Sequence, residues 1–230
     1  MSAYYSEIDP YAAQWLRNLI KAGHIADGDV DERSIEDVHP ADLRGYTQCH
    51  FFAGIGGWSL ALRMAGWDDS RPVWSGSCPC QPFSSASRGR GARLESERHL
   101  WPHWLRLIKA ARPAVVFGEQ VASARDWLDQ VWNDMEDAGY AIRPVVIPAG
   151  ALGADHIRER IWFLGHTDRE SEPGRAEHAE APRLSRRDRQ PGGMVPANGV
   201  SDDVARLRAF GNAIVPQVAA AVIGAYMEAA

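Results

Sequence analysis

The stretch from Tyr46 to Gly66 restricts the fold of this chain more than any other. Tyr46-Thr47-Gln48-Cys49-His50-Phe51-Phe52 carries no Asp, Glu, Lys or Arg and reads as a strand buried on both faces. It opens into Ala53-Gly54-Ile55-Gly56-Gly57, after which Trp58 to Met64 reads as a helix that Gly66 ends. Strand, glycine loop and helix together bring a small molecule close to backbone N–H groups and to a helix amino terminus. Many tight turns share a glycine loop, so the rest of the chain has to narrow the reading.

A second stretch does so. The apolar run Pro72-Val73-Trp74 leads into Gly76-Ser77-Cys78-Pro79-Cys80-Gln81-Pro82-Phe83-Ser84, and the Gly- and Arg-rich segment Ser85 to Arg93 follows. A short strand that empties into a loop at its carboxyl end is where open α/β folds keep their chemistry. Two prolines stiffen the backbone around Cys80, since each ring fixes its own φ and restricts the residue before it. A stiffly aimed thiol suits a nucleophile; a buried structural cysteine is the plainer alternative.

Composition removes several classes. A chain of 230 residues with 45% hydrophobic content and nine Trp can bury a sizeable core. No apolar run approaches a membrane span, and no signal peptide is visible. The three cysteines, Cys49, Cys78 and Cys80, do not make a disulfide framework, and Cys78-Pro79-Cys80 is too tight for a zinc pair, so no metal is expected. A reducing, intracellular compartment fits best. A formal net charge of -5 means that nucleic-acid contact would need a local basic surface.

Further elements follow in order. Residues 3–7 read as a short strand ending in Glu7, and Pro10 opens a helix with Tyr11, Trp15, Leu16, Leu19 and Ile20 on its apolar face. His24-Ile25 reads as a minimal strand, and Ser34 to Val38 and Pro40 to Leu43 as helical turns. Leu100 to Ala110 is an amphipathic helix, and Pro113 to Phe117 is a buried strand running into Gly118-Glu119-Gln120-Val121. Asp126 to Ala138 is a helix and Ala141 to Pro148 a strand. Asp155-His156-Ile157-Arg158-Glu159-Arg160 runs into a last strand, where alternate residues let Arg158 and Arg160 face one site. Residues 166–203 have the composition of a loop or linker. The chain closes with Phe210-Gly211-Asn212-Ala213-Ile214-Val215-Pro216 and an apolar helix.

Taken together, these motifs resemble the DNA cytosine-5 methyltransferases. Pro79-Cys80-Gln81-Pro82-Phe83-Ser84 is similar to that family's catalytic loop, and Phe52-Ala53-Gly54-Ile55-Gly56-Gly57 to its S-adenosylmethionine loop. Glu119-Gln120-Val121 resembles its Glu-Asn-Val, Arg158 and Arg160 its paired arginines, and Gly211-Asn212-Ala213-Ile214-Val215-Pro216 its final motif. Three positions depart: His50 stands where the family carries an acid, Gln120 where it has Asn, and His156 where it has Gln. The family's second and third motifs have no room between Gly57 and Pro79, because a βαβ unit takes ~30 or more residues. Glu7-Ile8-Asp9-Pro10-Tyr11 and Gly28-Asp29-Val30 resemble them instead, so the motif order is rearranged. The alternative ribose acids are Asp68 and Asp69, in a polar turn.

The resemblance implies a Rossmann-like α/β methyltransferase fold, a mostly parallel sheet with helices on both faces. It implies S-adenosylmethionine as cofactor and DNA as partner, in the cytoplasm of a prokaryotic or phage-infected cell. It implies catalytic roles for Cys80, Glu119, Arg158 and Arg160. Cofactor contacts would come from Glu7, Ile8, Asp29, Val30, residues 52–57 (Phe52, Ala53, Gly54, Ile55, Gly56, Gly57), Pro79, Leu100, Asn212 and Ala213. DNA contacts would come from Gln81, Ser84, Ser87, Arg88 and Arg90. The chain divides into a catalytic and cofactor-binding part, residues 1–165, a reduced target-recognition or linker segment, 166–207, and a closing motif and helix, 208–230. Two other readings stay open: methylation of tRNA, and a DNA- or cofactor-binding relative with little turnover. With the motifs rearranged, either the helix after Gly57 changes face or one connection breaks the right-handed crossover rule.

Overall fold

The computed structural model describes residues 2–79, 100–122, 124–152, 158–167 and 213–229. The chain runs β1 (Ser2–Ser6), α1 (Pro10–Lys21), β2 (Gly28–Asp31), β3 (Tyr46–Phe51), α2 (Gly57–Met64), β4 (Val73–Gly76), α3 (Trp101–Ala111), β5 (Val115–Val121), α4 (Arg125–Asp137), β6 (Ala141–Pro148), β7 (Glu159–His166) and α5 (Pro216–Ala229). Short 3-10 turns stand at Ile35–Asp37, Pro40–Leu43 and Ala149–Leu152. The first two are the expected helical turns. His24-Ile25 is a bend rather than a strand: Ile25 is spent on the core with Leu16 and Tyr5, and pairing begins at Gly28. A Cβ at Gly28 would collide with the Ala3 carbonyl, so β1 and β2 meet through a glycine.

The seven strands of the described residues form one sheet in the order β2-β1-β3-β4-β5-β7-β6. The first five pair in parallel, and β7 lies antiparallel to both β5 and β6. This is the mixed, mostly parallel α/β sheet expected. The glycine-loop strand β3 is central, with the two amino-terminal strands outside it on one flank. β5 extends beyond its expected end at Phe117, because β7 pairs with it out to Val121. Glu119 therefore sits on a strand held from both sides, β4 and β7, rather than in a loop.

Register sorts the side chains. Tyr5, His50, Ser75 and Phe117 fall on one face; Tyr4, Cys49, Trp74 and Val116 fall on the other. On the first face Leu16 of α1 packs with Ala3 and Tyr5, and Trp58 of α2 packs with Phe117 and with Ile223 of α5. The second face carries the larger core, where Trp101 and Trp104 of α3 and Trp127 of α4 close over Phe51 and Phe163.

The two faces decide the handedness left open by the sequence. β1–α1–β2 and β3–α2–β4 both cross the first face, but in opposite directions along the sheet. They therefore have opposite hands. The links β2 to β3, through the 3-10 turns, and β4 to β5, through α3, cross the second face and share the hand of β1–α1–β2. With right-handed crossovers the strong rule, β3–α2–β4 is the left-handed exception.

Candidate active site

The carboxyl ends of the parallel strands meet the entry to β7 at one edge of the sheet. A cleft of about 320 Å³ opens there, in the range of small-molecule sites. Glu7 and Ile8 line it from the end of β1, and Phe52 and Gly54 from the glycine loop. Ser77, Cys78 and Pro79 line it just past β4, Glu119 from β5, Arg158 from just before β7 and Arg160 from β7 itself.

Glu7 ties the front of the chain to the glycine loop. Its Oε2 accepts the Gly54 N–H at 2.7 Å, and its Oε1 accepts the Asp9 N–H at 2.9 Å. Asp9 in turn caps α1 through the Tyr11 and Ala12 N–H groups. Burial raises the Glu7 carboxyl above its ordinary value, and the two backbone donors pull against that rise. The Ala53 N–H reaches back to the Ser6 carbonyl at 3.0 Å, so strand end and loop are joined twice. The loop turns through φ +55° at Gly54 and +84° at Gly56, conformations that favour glycine. A Cβ on Gly57 would lie 2.7 Å from Ile214, which brings the carboxyl-terminal segment against the first turn of α2.

Glu119 is the buried charge of the cleft, 6% exposed. Arg160 Nε lies 2.8 Å from its Oε1. Burial pushes the carboxyl upward; Arg160 and Arg158 oppose the push. Arg160 pairs in register with Val121, so it reaches diagonally along the same face as Glu119. Arg158 stands just before β7 at φ +25° and donates to the Ala213 carbonyl at 2.7 Å. Burial and the neighbouring Arg160 depress its guanidinium. Gln120 Nε2 donates to the Cys78 carbonyl at 3.0 Å while its Oε1 accepts the Val121 N–H at 2.9 Å. The extra methylene of Gln over Asn lets one side chain span from β5 to the backbone two residues before Cys80.

Several expected site residues stand elsewhere. Asp29 and Val30 do not line the cleft: Asp29 is exposed and accepts from the Tyr46 hydroxyl at 2.8 Å. Arg33, Ser34 and Ile35 reach the cleft from that strand instead, because β2 continues to Asp31 before it turns. Ala53 is core, Gly56 caps α2, and Ile55 is half-buried outside the lining. Pro79 and Leu100 do line it. Ser77 and Cys78 are site residues that the motif reading passed over, though both adjoin the catalytic loop. Cys80, Gln81, Ser84, Ser87, Arg88, Arg90, His156 and Asn212 lie outside the described residues. No group of three or more His, Cys, Asp or Glu able to hold a metal ion occurs among the described residues.

His50, the residue at the family's acid position, is buried on the first face. Gln48 donates to the Asp68 carbonyl at 3.4 Å, which turns its Oε1 to His50 Nε2 at 3.3 Å. That oxygen only accepts, so Nε2 carries the proton and Nδ1 accepts from Ser75 at 2.8 Å. It is a satisfied structural histidine, and its pKa is lowered by burial to about 3.

A parallel sheet with a glycine loop and a buried acid at its carboxyl edge is the Rossmann-like methyltransferase fold. The solved structure of a DNMT2 variant from Spodoptera frugiperda shares the fold at a TM-score of 0.50 and 12% identity, covering 79% of this chain and 47% of that one. The family model of the C-5 cytosine-specific DNA methylases matches residues 70–192, just over half of the sequence. The chain belongs to that family. Among curated relatives, the type II methyltransferase M.NgoFVII of Neisseria gonorrhoeae is 32% identical over 96 residues, 39% of this chain and 25% of its own. M.HhaI of Haemophilus parahaemolyticus is 24% identical over 168 residues, 56% of this chain and 51% of its own. The chain thus spans from 25% to 51% of the length of the curated relatives it matches.

Proposed function

We propose that this chain transfers a methyl group from S-adenosylmethionine to carbon 5 of cytosine in DNA, through a covalent adduct with Cys80. The observation that carries the reading is the buried Glu119 carboxyl, 2.8 Å from Arg160, in the cleft that Glu7 and the glycine loop also line.

The residues fit the cofactor. Nothing lies within 4 Å of where a Cβ on Gly54 would stand, so the loop backbone is bare. Glu7 uses two acceptor sites on backbone amides, and a carboxylate has about four, which leaves capacity for ribose hydroxyls. Ile8, Phe52, Pro79 and Leu100 supply an apolar lining. Bound S-adenosylmethionine supplies an electrophilic methyl group on a sulfonium. Glu7 serving the cofactor from ahead of the glycine loop is the rearranged order, with the family's second and third motifs placed first.

Cytosine is a poor nucleophile at carbon 5. Addition of the Cys80 thiolate to carbon 6 makes it enamine-like, while Glu119 gives its proton to ring nitrogen 3. Burial keeps Glu119 protonated further up the pH scale than an exposed carboxyl, as an acid in this role requires. Arg160 suits the ring oxygen, with Arg158 behind it, and cations at this edge favour the thiolate. After alkylation a base takes the proton from carbon 5, the carbon–sulfur bond breaks with the sulfur leaving as thiolate, and ring nitrogen 3 returns its proton to Glu119. The ring must leave the base stack for this, which costs a few kcal/mol in duplex DNA. Gln81, Ser84, Ser87, Arg88 and Arg90 would hold the opened duplex and its phosphates.

Bisulfite sequencing of DNA incubated with protein and cofactor tests the reading, with Cys80→Ser as control. Protected cytosines at a recurring sequence, absent with Cys80→Ser, support it. Labelled methyl entering tRNA instead redirects it to RNA, and incorporation into neither leaves a binding protein.

A further inference from the structure

We propose that Ser77 is a positioning residue for Glu119: its hydroxyl accepts the indole N–H of Trp58 and donates its own proton to the Glu119 carboxyl group. The inference deepens the methyltransferase reading and rests on it for its catalytic meaning. Trp58 Nε1 donates to Ser77 Oγ at 3.0 Å. An indole N–H cannot accept, so this contact turns the hydroxyl proton away from Trp58 and leaves it for another acceptor. Gly76 and Gly118 are register partners on β4 and β5, so the next residues, Ser77 and Glu119, are cross-strand neighbours. They stand on the face that carries Ser75 and Phe117, the face Trp58 packs against. The three side chains come from α2, the residue just past β4, and β5, and nothing in the motif reading joined them.

The chemical consequence concerns the state after proton donation. When Glu119 passes its proton to ring nitrogen 3, a carboxylate remains in a buried site. Ser77 donates to that anion, and so lowers the affinity of Glu119 for its proton against the upward push of burial. Among the described residues, the charged groups facing Glu119 are Arg158, just before β7, and Arg160 of β7. Glu7 and Arg33 lie across the cleft. Both arginines act in the same direction as Ser77, but only the hydroxyl comes from the segment that leads into Cys80.

Carbon-13 NMR of labelled Glu side chains tests this in the free protein, with Glu119→Gln assigning the resonance. Ser77→Ala is expected to move the Glu119 titration to higher pH, and Ser77→Thr to restore it. Trp58→Phe, which frees the hydroxyl to rotate without touching the cleft, is expected to move it the same way. In single-turnover methylation, the high-pH limb of the Ser77→Ala rate should move upward as well. Its maximal rate should fall with the half-saturating DNA concentration unchanged. A Glu119 titration that is unmoved in folded Ser77→Ala, or in Trp58→Phe should Ser77→Ala fail to fold, overturns the proposal. Wild-type protein that transfers no methyl group ends the methyltransferase reading, and the titration then decides the Ser77 pairing by itself.

Discussion

His50 makes stability fall with acid in a calculable way. The buried ring is neutral, and burial holds its pKa near 3 against an ordinary 6.5. Between those values the unfolded chain binds a proton that the folded chain refuses. Stability from this group is therefore whole above about pH 6.5 and lost progressively as pH falls toward 3. With 1.36 kcal/mol per pH unit, the loss is about 2 kcal/mol between pH 7 and pH 5, a large share of the stability of a typical domain. Glu7 and Glu119, whose carboxyls are raised by burial, act with the opposite sign. The measurement is thus a difference: urea unfolding of wild type and His50→Gln at pH 7, 6 and 5, followed by tryptophan fluorescence. Gln keeps an amide for Gln48 and Ser75 but cannot take the proton. The stability advantage of wild type over the variant should shrink by about 2 kcal/mol from pH 7 to pH 5. An advantage that stays constant with pH would refute the account of a buried neutral imidazole.

Three further outcomes are expected. Glu7→Ala should weaken S-adenosylmethionine binding, measured by calorimetry, by about 10- to 100-fold, the worth of a charged hydrogen bond at ~1.5–3 kcal/mol. Asp68→Ala, which removes exposed bonds from the Ser70 N–H and hydroxyl, should change it less than about twofold; equal effects would end the rearranged-motif proposal. Gln120→Asn should lose the 3.0 Å bond to the Cys78 carbonyl and slow single-turnover methylation about fivefold, ~1 kcal/mol, with cofactor affinity intact; an undiminished rate would show that the loop does not depend on it. Gly57→Ala should force Ile214 aside and lower the urea midpoint by an amount corresponding to about 1–3 kcal/mol, and an unchanged midpoint would mean that the closing segment is not seated there.

Much of the sheet was legible because strand and helix periods alternate plainly from Tyr46 onward. The link from Glu7 to Gly54 was legible only through motif resemblance, since 47 residues separate the two and no periodicity spans them. What local reading missed depends on pairing between distant segments. β5 runs to Val121 because β7 supplies a partner, and Glu119 gains its rigidity from that partner. Asp29 was assigned to the cleft from a three-residue match, but the strand runs two residues further and hands the edge to Arg33 and Ser34. The motif reading passed over Ser77, since its meaning comes from Trp58, 19 positions earlier and on another element.

The left-handed β3–α2–β4 crossover follows from the same long-range demands. A right-handed path from β3 to β4 would carry α2 over the second face, where Trp101 and Trp104 already fill the core. On the first face α2 delivers four contacts that no helix on the other side could make. Ser59 Oγ lies 3.1 Å from the Tyr5 hydroxyl and accepts the Ala26 N–H, which locks β1 and the α1–β2 turn. Trp58 reaches Ser77 beneath the acid, and Gly57 admits Ile214 from the closing segment. Crossover handedness is a preference set by strand twist along one connection. Here a single connection bears the departure, and in exchange the glycine loop keeps its place between Glu7 and the strand that leads into Cys80.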